Sequence, residues 1–145
     1  MATPKQLGPE GYLKGLLDEL LSGRVDWSEP KPPFELGGHR IIPDGRFGKE
    51  WVVELEARTL KQVRGALVDL TISDRPKKLL VVLFKPTDSM SASSVEQHLN
   101  EVVERMKGPK RTWCIIALTK EGSREKHLES IKKALLPHGL VVAKS

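Results

Sequence analysis

The feature that most constrains the fold of this chain is a pair of continuous apolar runs separated by helix-like segments. The runs are KKLLVVLF (77–84) and TWCIIALT (112–119). Uninterrupted apolar runs of this length are typical of strands that are buried on both faces of a sheet. Apolar residues at helical spacing precede the first run, separate the two runs and follow the second. This alternation predicts an α/β fold with parallel strands in the second half of the chain.

The first half of the chain has a different pattern. Apolar residues from Tyr12 to Leu21 predict a helix that begins near Pro9 and ends before Gly23. A proline-rich connector (24–36) follows, and HRII and EWVVELEA are predicted to form two strands around a turn in PDGRFGK. A short LVVA strand (140–143) is predicted after the last helix. We therefore expect one domain over 1–145, with a mixed sheet that is antiparallel at one side and parallel at the other.

Composition narrows the function classes. The chain has 145 residues, a formal charge of +5 and one cysteine, Cys114, so it has no internal disulfide and no multi-thiolate metal site. No apolar run approaches the roughly 18 residues of a membrane span, and the first residues lack the apolar core of a signal peptide. We therefore expect a cytoplasmic protein with no membrane partner, whose charge attracts polyanions such as nucleic acid.

The most informative stretch carries three acids. Strand alternation places Glu54 and Glu56 on one face with their Cα atoms about 6.5 Å apart. The predicted hairpin turn holds Asp44 and brings it beside Glu54. Clustered carboxylate oxygens are suitable ligands for Mg²⁺ or Mn²⁺. The spacing therefore predicts a divalent-metal site.

These residues resemble a known motif. Pro43-Asp44, nine residues, and then Glu54-Leu55-Glu56 is similar to the PD-(D/E)XK motif of the restriction-endonuclease-like nucleases. The resemblance implies a mixed central sheet flanked by helices, in the order helix, β-meander, then alternating helix and strand. It also implies that Asp44, Glu54 and the backbone carbonyl of Leu55 bind the metal, that the substrate is DNA, and that the protein acts as a homodimer.

The motif lysine is replaced by Glu56 in this chain. The resemblance allows Glu56 to act as ligand or base, or allows a lysine to come from the following helix. Lys61 is the candidate there, although it lies opposite the predicted apolar stripe. Gln62, Arg58 and Arg64 are candidates for phosphate contacts. An additional acid from the first helix, either Glu19 or Glu10, is also implied.

Basic residues form two groups that precede the two apolar runs. Arg75, Lys77 and Lys78 come before the first run, and Lys107, Lys110 and Arg111 come before the second. If the two strands are parallel, both groups lie at the same edge of the sheet. This arrangement predicts a basic rim that binds nucleic-acid phosphates in a salt-dependent manner.

Three hypotheses for the function remain open. The first is a Mg²⁺- or Mn²⁺-dependent endonuclease that hydrolyses DNA, with Asp44, Glu54, Glu56, Lys61 and Gln62 as catalytic residues. The second is a nuclease-like domain without turnover that serves as a nucleic-acid-binding or assembly module. The third is an α/β protein unrelated to nucleic acids, in which the acids form a solvated strand face.

Overall fold

The computed structural model describes residues 4–27, 44–57, 63, 65–67, 70–71, 75–86, 91–106 and 112–141. These residues form a five-stranded sheet with helices on both faces. The elements in chain order are α1 (Pro4–Leu20), β1 (Asp26–Trp27), β2 (Gly45–Phe47), β3 (Trp51–Glu56), β4 (Lys77–Phe84), α2 (Ala92–Arg105), β5 (Thr112–Thr119), α3 (Arg124–Leu135) and a 3-10 turn (Leu136–His138). Helical residues at 63, 65–67, 70 and 71 belong to what we call the crossover helix, between β3 and β4.

The sheet is mixed, as the sequence predicts. Its strands follow the order β1-β2-β3-β4-β5. The first two pairings are antiparallel, and the pairings of β3 with β4 and of β4 with β5 are parallel. Both apolar runs become strands with the predicted bounds, because each is covered by helices on its two faces.

Strand alternation divides the core into two layers. On the α1 face, residues such as Val53, Leu79 and Ile116 pack against α1 and α3. On the α2 face, Val52, Leu80 and Ile115 pack against the crossover helix and α2. Each β3 residue therefore belongs to one face or the other, which fixes where its functional groups point.

The hairpin turn lies later in the chain than the sequence predicts. Gly45–Phe47 forms β2, and the turn is Gly48–Glu50, with Gly48 in the left-handed region at φ 57°. The rings of Phe47 and Trp51 stack at 5.4 Å across the turn and hold its two ends together. Asp44 therefore precedes β2 at the end remote from the turn. The predicted HRII strand lies outside the described residues.

The predictions for the end of α1, for the connector and for the LVVA strand have different outcomes. Gly23 follows α1 with φ 68°, as predicted for a helix terminator. Of the predicted connector, Asp26–Trp27 forms the edge strand β1, and the part beyond residue 27 lies outside the described residues. The predicted LVVA strand is wrong for Leu140 and Val141, because Gly139 turns the chain at φ 70° and both side chains then pack against the core.

No helix among the described residues is long and apolar enough to cross a membrane.

We expect Gly45→Ala to destabilise the fold by about 1–3 kcal/mol, because its Cβ would lie 2.8 Å from Trp27 Cε3 and 2.9 Å from Val25 Cγ1. The matched control is Gly15→Ala. Gly15 is exposed in α1, and an added Cβ there meets no atom within 4 Å. The control should gain up to about 1 kcal/mol of helix stability. Urea unfolding measures both changes, and equal stability of the two variants would contradict the tight packing at Gly45.

Candidate metal and nucleic-acid site

The β2–β3 hairpin brings three acids to the same part of β3. Gly45 pairs with Val53 and Arg46 with Val52, and Asp44 directly precedes this ladder. By alternation, Glu54 and Glu56 belong to the α2 face. The two glutamates therefore share a face as expected, whereas the position of Asp44 beside Glu54 stays a prediction.

Asp44 is fixed by a hydrogen bond to the backbone of β3. The Leu55 N–H donates to Asp44 Oδ2 at 2.8 Å. The carboxylate thus takes the place of a strand carbonyl beyond the end of β2. This bond holds the Asp44 carboxylate beside Leu55, the residue between Glu54 and Glu56. The backbone carbonyl of Leu55 is itself a candidate metal ligand.

The two glutamates differ in their environment. Glu54 is 6% exposed and its Oε1 atom is fully buried. Glu56 is half-buried, and its Oε1 accepts a 3.2 Å hydrogen bond from the Ala57 N–H. Glu54 therefore belongs to the sheet interior, whereas Glu56 lies at its boundary with solvent.

The donor set suits magnesium only in part. Within the described ranges, no group of three or more His, Cys, Asp and Glu side chains is close enough to hold a metal ion. Mg²⁺ is commonly held by only one or two carboxylates, with water and substrate phosphate completing its coordination. Asp44 and Glu54 supply carboxylates and Leu55 supplies a carbonyl, which are the oxygen donor types that Mg²⁺ takes.

Arg75, Lys77 and Lys78, the first basic group, make contacts within the protein or are buried. Lys77 Nζ lies 2.9 Å from Glu50 Oε2 and 5.8 Å from the centroid of the Trp51 ring. Arg75 Nη1 donates to the carbonyls of Gly48 and Trp51 at 3.0 Å each. Lys78 is 0% exposed. The expectation that Lys78 contributes to a surface rim is therefore wrong, because its side chain points into the core on the α2 face.

The basic residues and the acids also lie at different ends of the strands. Lys77 pairs with Trp51, whereas Glu56 pairs with Val82. Five residues of strand separate these levels by about 16 Å. Cations at the start of β4 therefore cannot contact the same phosphate as Glu56.

The predicted acid from the first helix is not beside the site. Glu19 Oε2 accepts a 2.6 Å hydrogen bond from Arg124 Nη2, and α1 packs on the opposite face of the sheet. Glu10 also lies on α1 and is exposed. The remaining predicted site residues lie outside the described residues: Arg58, Lys61, Gln62, Arg64, Lys107, Lys110 and Arg111.

Sequence reasoning missed one exposed cation on the acidic side of the sheet. Arg46 is exposed on β2 and pairs with Val52, so it belongs to the α2 face, as Glu54 and Glu56 do. The sequence prediction placed Arg46 inside the turn segment PDGRFGK, so no strand face was assigned to it. A turn placed at Gly48 would have put Arg46 on a strand.

A cavity of about 460 Å³ lies on the other side of the sheet, lined by residues that include Tyr12, Leu83, Lys120 and His127. His127 Nε2 lies 2.7 Å from the Thr119 carbonyl, so it carries the proton, and Nδ1 accepts from the Tyr12 hydroxyl at 2.7 Å. Burial raises the pKa of Tyr12, and Arg124 opposes this rise. Leu83 belongs to the α1 face, so the cavity is separate from the three acids.

Cys114 fills a core position on β5. Its side chain is 5% exposed, and burial raises the pKa of the thiol from 9.0 to about 12, with Glu96 adding to the rise. The thiol is therefore neutral near pH 7 and is a poor nucleophile and metal ligand.

Comparisons with models of known protein families, with curated proteins and with solved structures find no match to this chain. The geometry of the described residues is therefore what supports a functional proposal.

We expect Asp44→Ala to lower the free energy of unfolding by about 1–3 kcal/mol, because the Leu55 N–H loses a charged acceptor. Asp44→Asn keeps an oxygen acceptor and should lose less than half as much. Urea unfolding and amide exchange at Leu55 measure the difference. Equal losses in both variants would show that this hydrogen bond does not hold Asp44 in place.

We expect Cys114 to resist thiol reagents at pH 8 until the protein unfolds. Because the folded pKa of the thiol is raised, its contribution to stability is fully present below pH 9 and is lost between pH 9 and about 12. Labelling rates in native buffer and in urea test the first point, and unfolding of Cys114→Ser against wild type across pH 8–11 tests the second. Rapid native labelling would contradict the buried position.

Proposed function

We propose that the protein is a divalent-metal-dependent nuclease that hydrolyses phosphodiester bonds in DNA, with a restriction-endonuclease-like arrangement of its mixed sheet. The observation that carries the proposal is the hydrogen bond from the Leu55 N–H to Asp44 Oδ2, which holds this carboxylate against β3 at the residue between Glu54 and Glu56. The order of helix, antiparallel meander, crossover helix and parallel strand also supports it.

Asp44, Glu54 and the Leu55 carbonyl are the proposed metal ligands. A Mg²⁺ or Mn²⁺ ion bound there supplies a Lewis acid and lowers the pKa of a bound water. The hydrogen bond from Leu55 to Asp44 orients one ligand before substrate arrives. Glu56, half-buried at the end of β3, is placed to assist the ligand set or to accept a proton from water.

DNA phosphates would be contacted from the acidic end of the sheet. Arg46 is exposed on the face that carries Glu54 and Glu56, and Lys85 is exposed directly after β4. The cations at the start of β4 are too far from Glu56 to contact the same phosphate, as the spacing of Lys77 and Glu56 shows. Arg58, Lys61, Gln62 and Arg64 remain proposed contacts from the segment that follows β3. Because a duplex cut on both strands needs two sites, we propose that the protein acts as a homodimer.

A second function is favoured by two observations. No group of three potential ligands is formed within the described ranges, and Glu56 stands where the motif has lysine. Both observations favour a nucleic-acid-binding or assembly module without turnover. Such a module would bind DNA with a steep salt dependence but would neither bind Mn²⁺ nor cut.

We expect the purified protein to cleave plasmid, single-stranded or branched DNA in the presence of Mg²⁺ or Mn²⁺. Glu54→Gln and Asp44→Asn should reduce the cleavage rate by about 100-fold or more, because they weaken an electrostatic effect worth several kcal/mol. Asp44→Asn is the sharper variant, since it keeps the acceptor for Leu55. The assay is the initial rate of strand scission by gel electrophoresis, with chelator as a blank.

The matched control is Glu50→Gln, which removes an exposed acid from the same hairpin. Glu50 pairs with Lys77 at the remote end of β3, and exposed pairs contribute little to stability. Its cleavage rate should equal that of wild type. Cleavage that survives in folded Glu54→Gln and Asp44→Asn would refute the site. DNA binding without any cleavage or Mn²⁺ binding would favour the second function.

A further inference from the structure

Lys78 stands out because a lysine with 0% exposure is costly in a protein interior. The buried polar or charged side chains among the described residues are Glu54, Lys78 and His127. His127 lies on the other side of the sheet, where Tyr12 and the Thr119 carbonyl bind both of its ring nitrogens. The two remaining groups have opposite charges, and both belong to the α2 face.

The parallel register makes Lys78 and Glu54 diagonal neighbours. Lys78 pairs with Val52, and Glu54 pairs with Leu80. The offset of two residues on adjacent strands puts their Cα atoms about 8 Å apart. The four-carbon stem of a lysine can bridge this distance to a glutamate carboxylate.

Other described carboxylates are less well placed for Lys78. Glu56 is two residues farther along β3, and Asp44 is one strand farther away. Glu96 Oε1 accepts a 2.9 Å hydrogen bond from the Ala117 N–H, near the far end of β5. Val52 lies opposite Lys78, and Leu80 lies opposite Glu54. Both of these neighbours are apolar and fully buried. In such surroundings a charge without a counter-charge is strongly unfavourable.

We propose that Lys78 is the positioning lysine of the candidate site, and that its ammonium pairs with Glu54 and holds that carboxylate in a single orientation. Lys78 acts through Glu54 and does not contact DNA, because its side chain is buried. The role in metal binding rests on the proposed function, whereas the pairing itself does not.

A double-mutant cycle tests the pairing without metal or DNA. Lys78→Met and Glu54→Gln should each lower the urea midpoint of unfolding, because each leaves a buried polar group without its partner. The urea midpoint of the double variant should fall by clearly less than the sum of the two single decreases. The control cycle is Lys77→Met with Glu50→Gln, an exposed pair at 2.9 Å, which should be additive. Additive losses for Lys78 and Glu54 would overturn the pairing.

A spectroscopic measurement covers the case in which Lys78→Met does not fold. A buried ammonium exchanges its protons slowly enough for a ¹H–¹⁵N signal of the lysine Nζ to be observed. That signal should shift or disappear in Glu54→Gln and stay in place in Glu50→Gln. An unchanged signal in folded Glu54→Gln would also overturn the pairing.

Mn²⁺ titration followed by electron paramagnetic resonance tests the positioning role. Folded Lys78→Met should bind Mn²⁺ about 10–100-fold more weakly than wild type, as is usual when a residue that orients a metal ligand is removed. Lys77→Met should bind like wild type. Equal affinity in Lys78→Met and wild type would overturn the positioning role. Failure of wild type to bind Mn²⁺ would refute the proposed metal site, while the double-mutant cycle would still decide the pairing.

Discussion

The pairing register of β3 is the constraint on which the rest of the structure depends. Its antiparallel neighbour β2 begins directly after Asp44, whose carboxylate accepts from the Leu55 N–H, and its parallel neighbour β4 places Lys78 diagonal to Glu54. A slip of one residue in the pairing of β3 with β4 would turn Glu54 or Lys78 to the α1 face, where it would be buried among closely packed apolar side chains. The two core layers therefore determine both the strand register and the face on which each side chain of the candidate site lies.

Asp44 shows how closely the candidate site and the end of the sheet are connected. Its carboxylate accepts the Leu55 N–H where β2 has already ended. The same side chain is therefore a structural acceptor and a proposed ligand. Loss of activity in an alanine variant would be ambiguous for this reason. The asparagine variant separates the two roles, because it changes the charge and keeps the acceptor.

The sequence predicted the main elements of the fold well where burial alone determines structure. KKLLVVLF and TWCIIALT are covered on both faces, so their apolar character sufficed to place them. The hairpin was harder, because two turn signals compete between residues 43 and 50 and the stacking of Phe47 on Trp51 favours the later one. Lys78 could not be placed from sequence, since a lysine at the start of an apolar run is usually solvated. Its burial depends on the parallel register, which the sequence does not specify.

The positive net charge has a different meaning once the strands are in place. Arg75 and Lys77 hold the turn and its flanks, and Lys78 lies in the core. Among the described residues, these cations therefore make contacts within the protein at the N-terminal end of the parallel strands. Exposed cations at the acidic end of the sheet follow the strands instead, as Lys85 and Lys120 do after β4 and β5. In an open α/β sheet the carboxyl ends of the parallel strands are where ligands bind. In the proposed function, the separation of the two sets of cations means that a DNA phosphate approaches Glu56 from the carboxyl edge of β3.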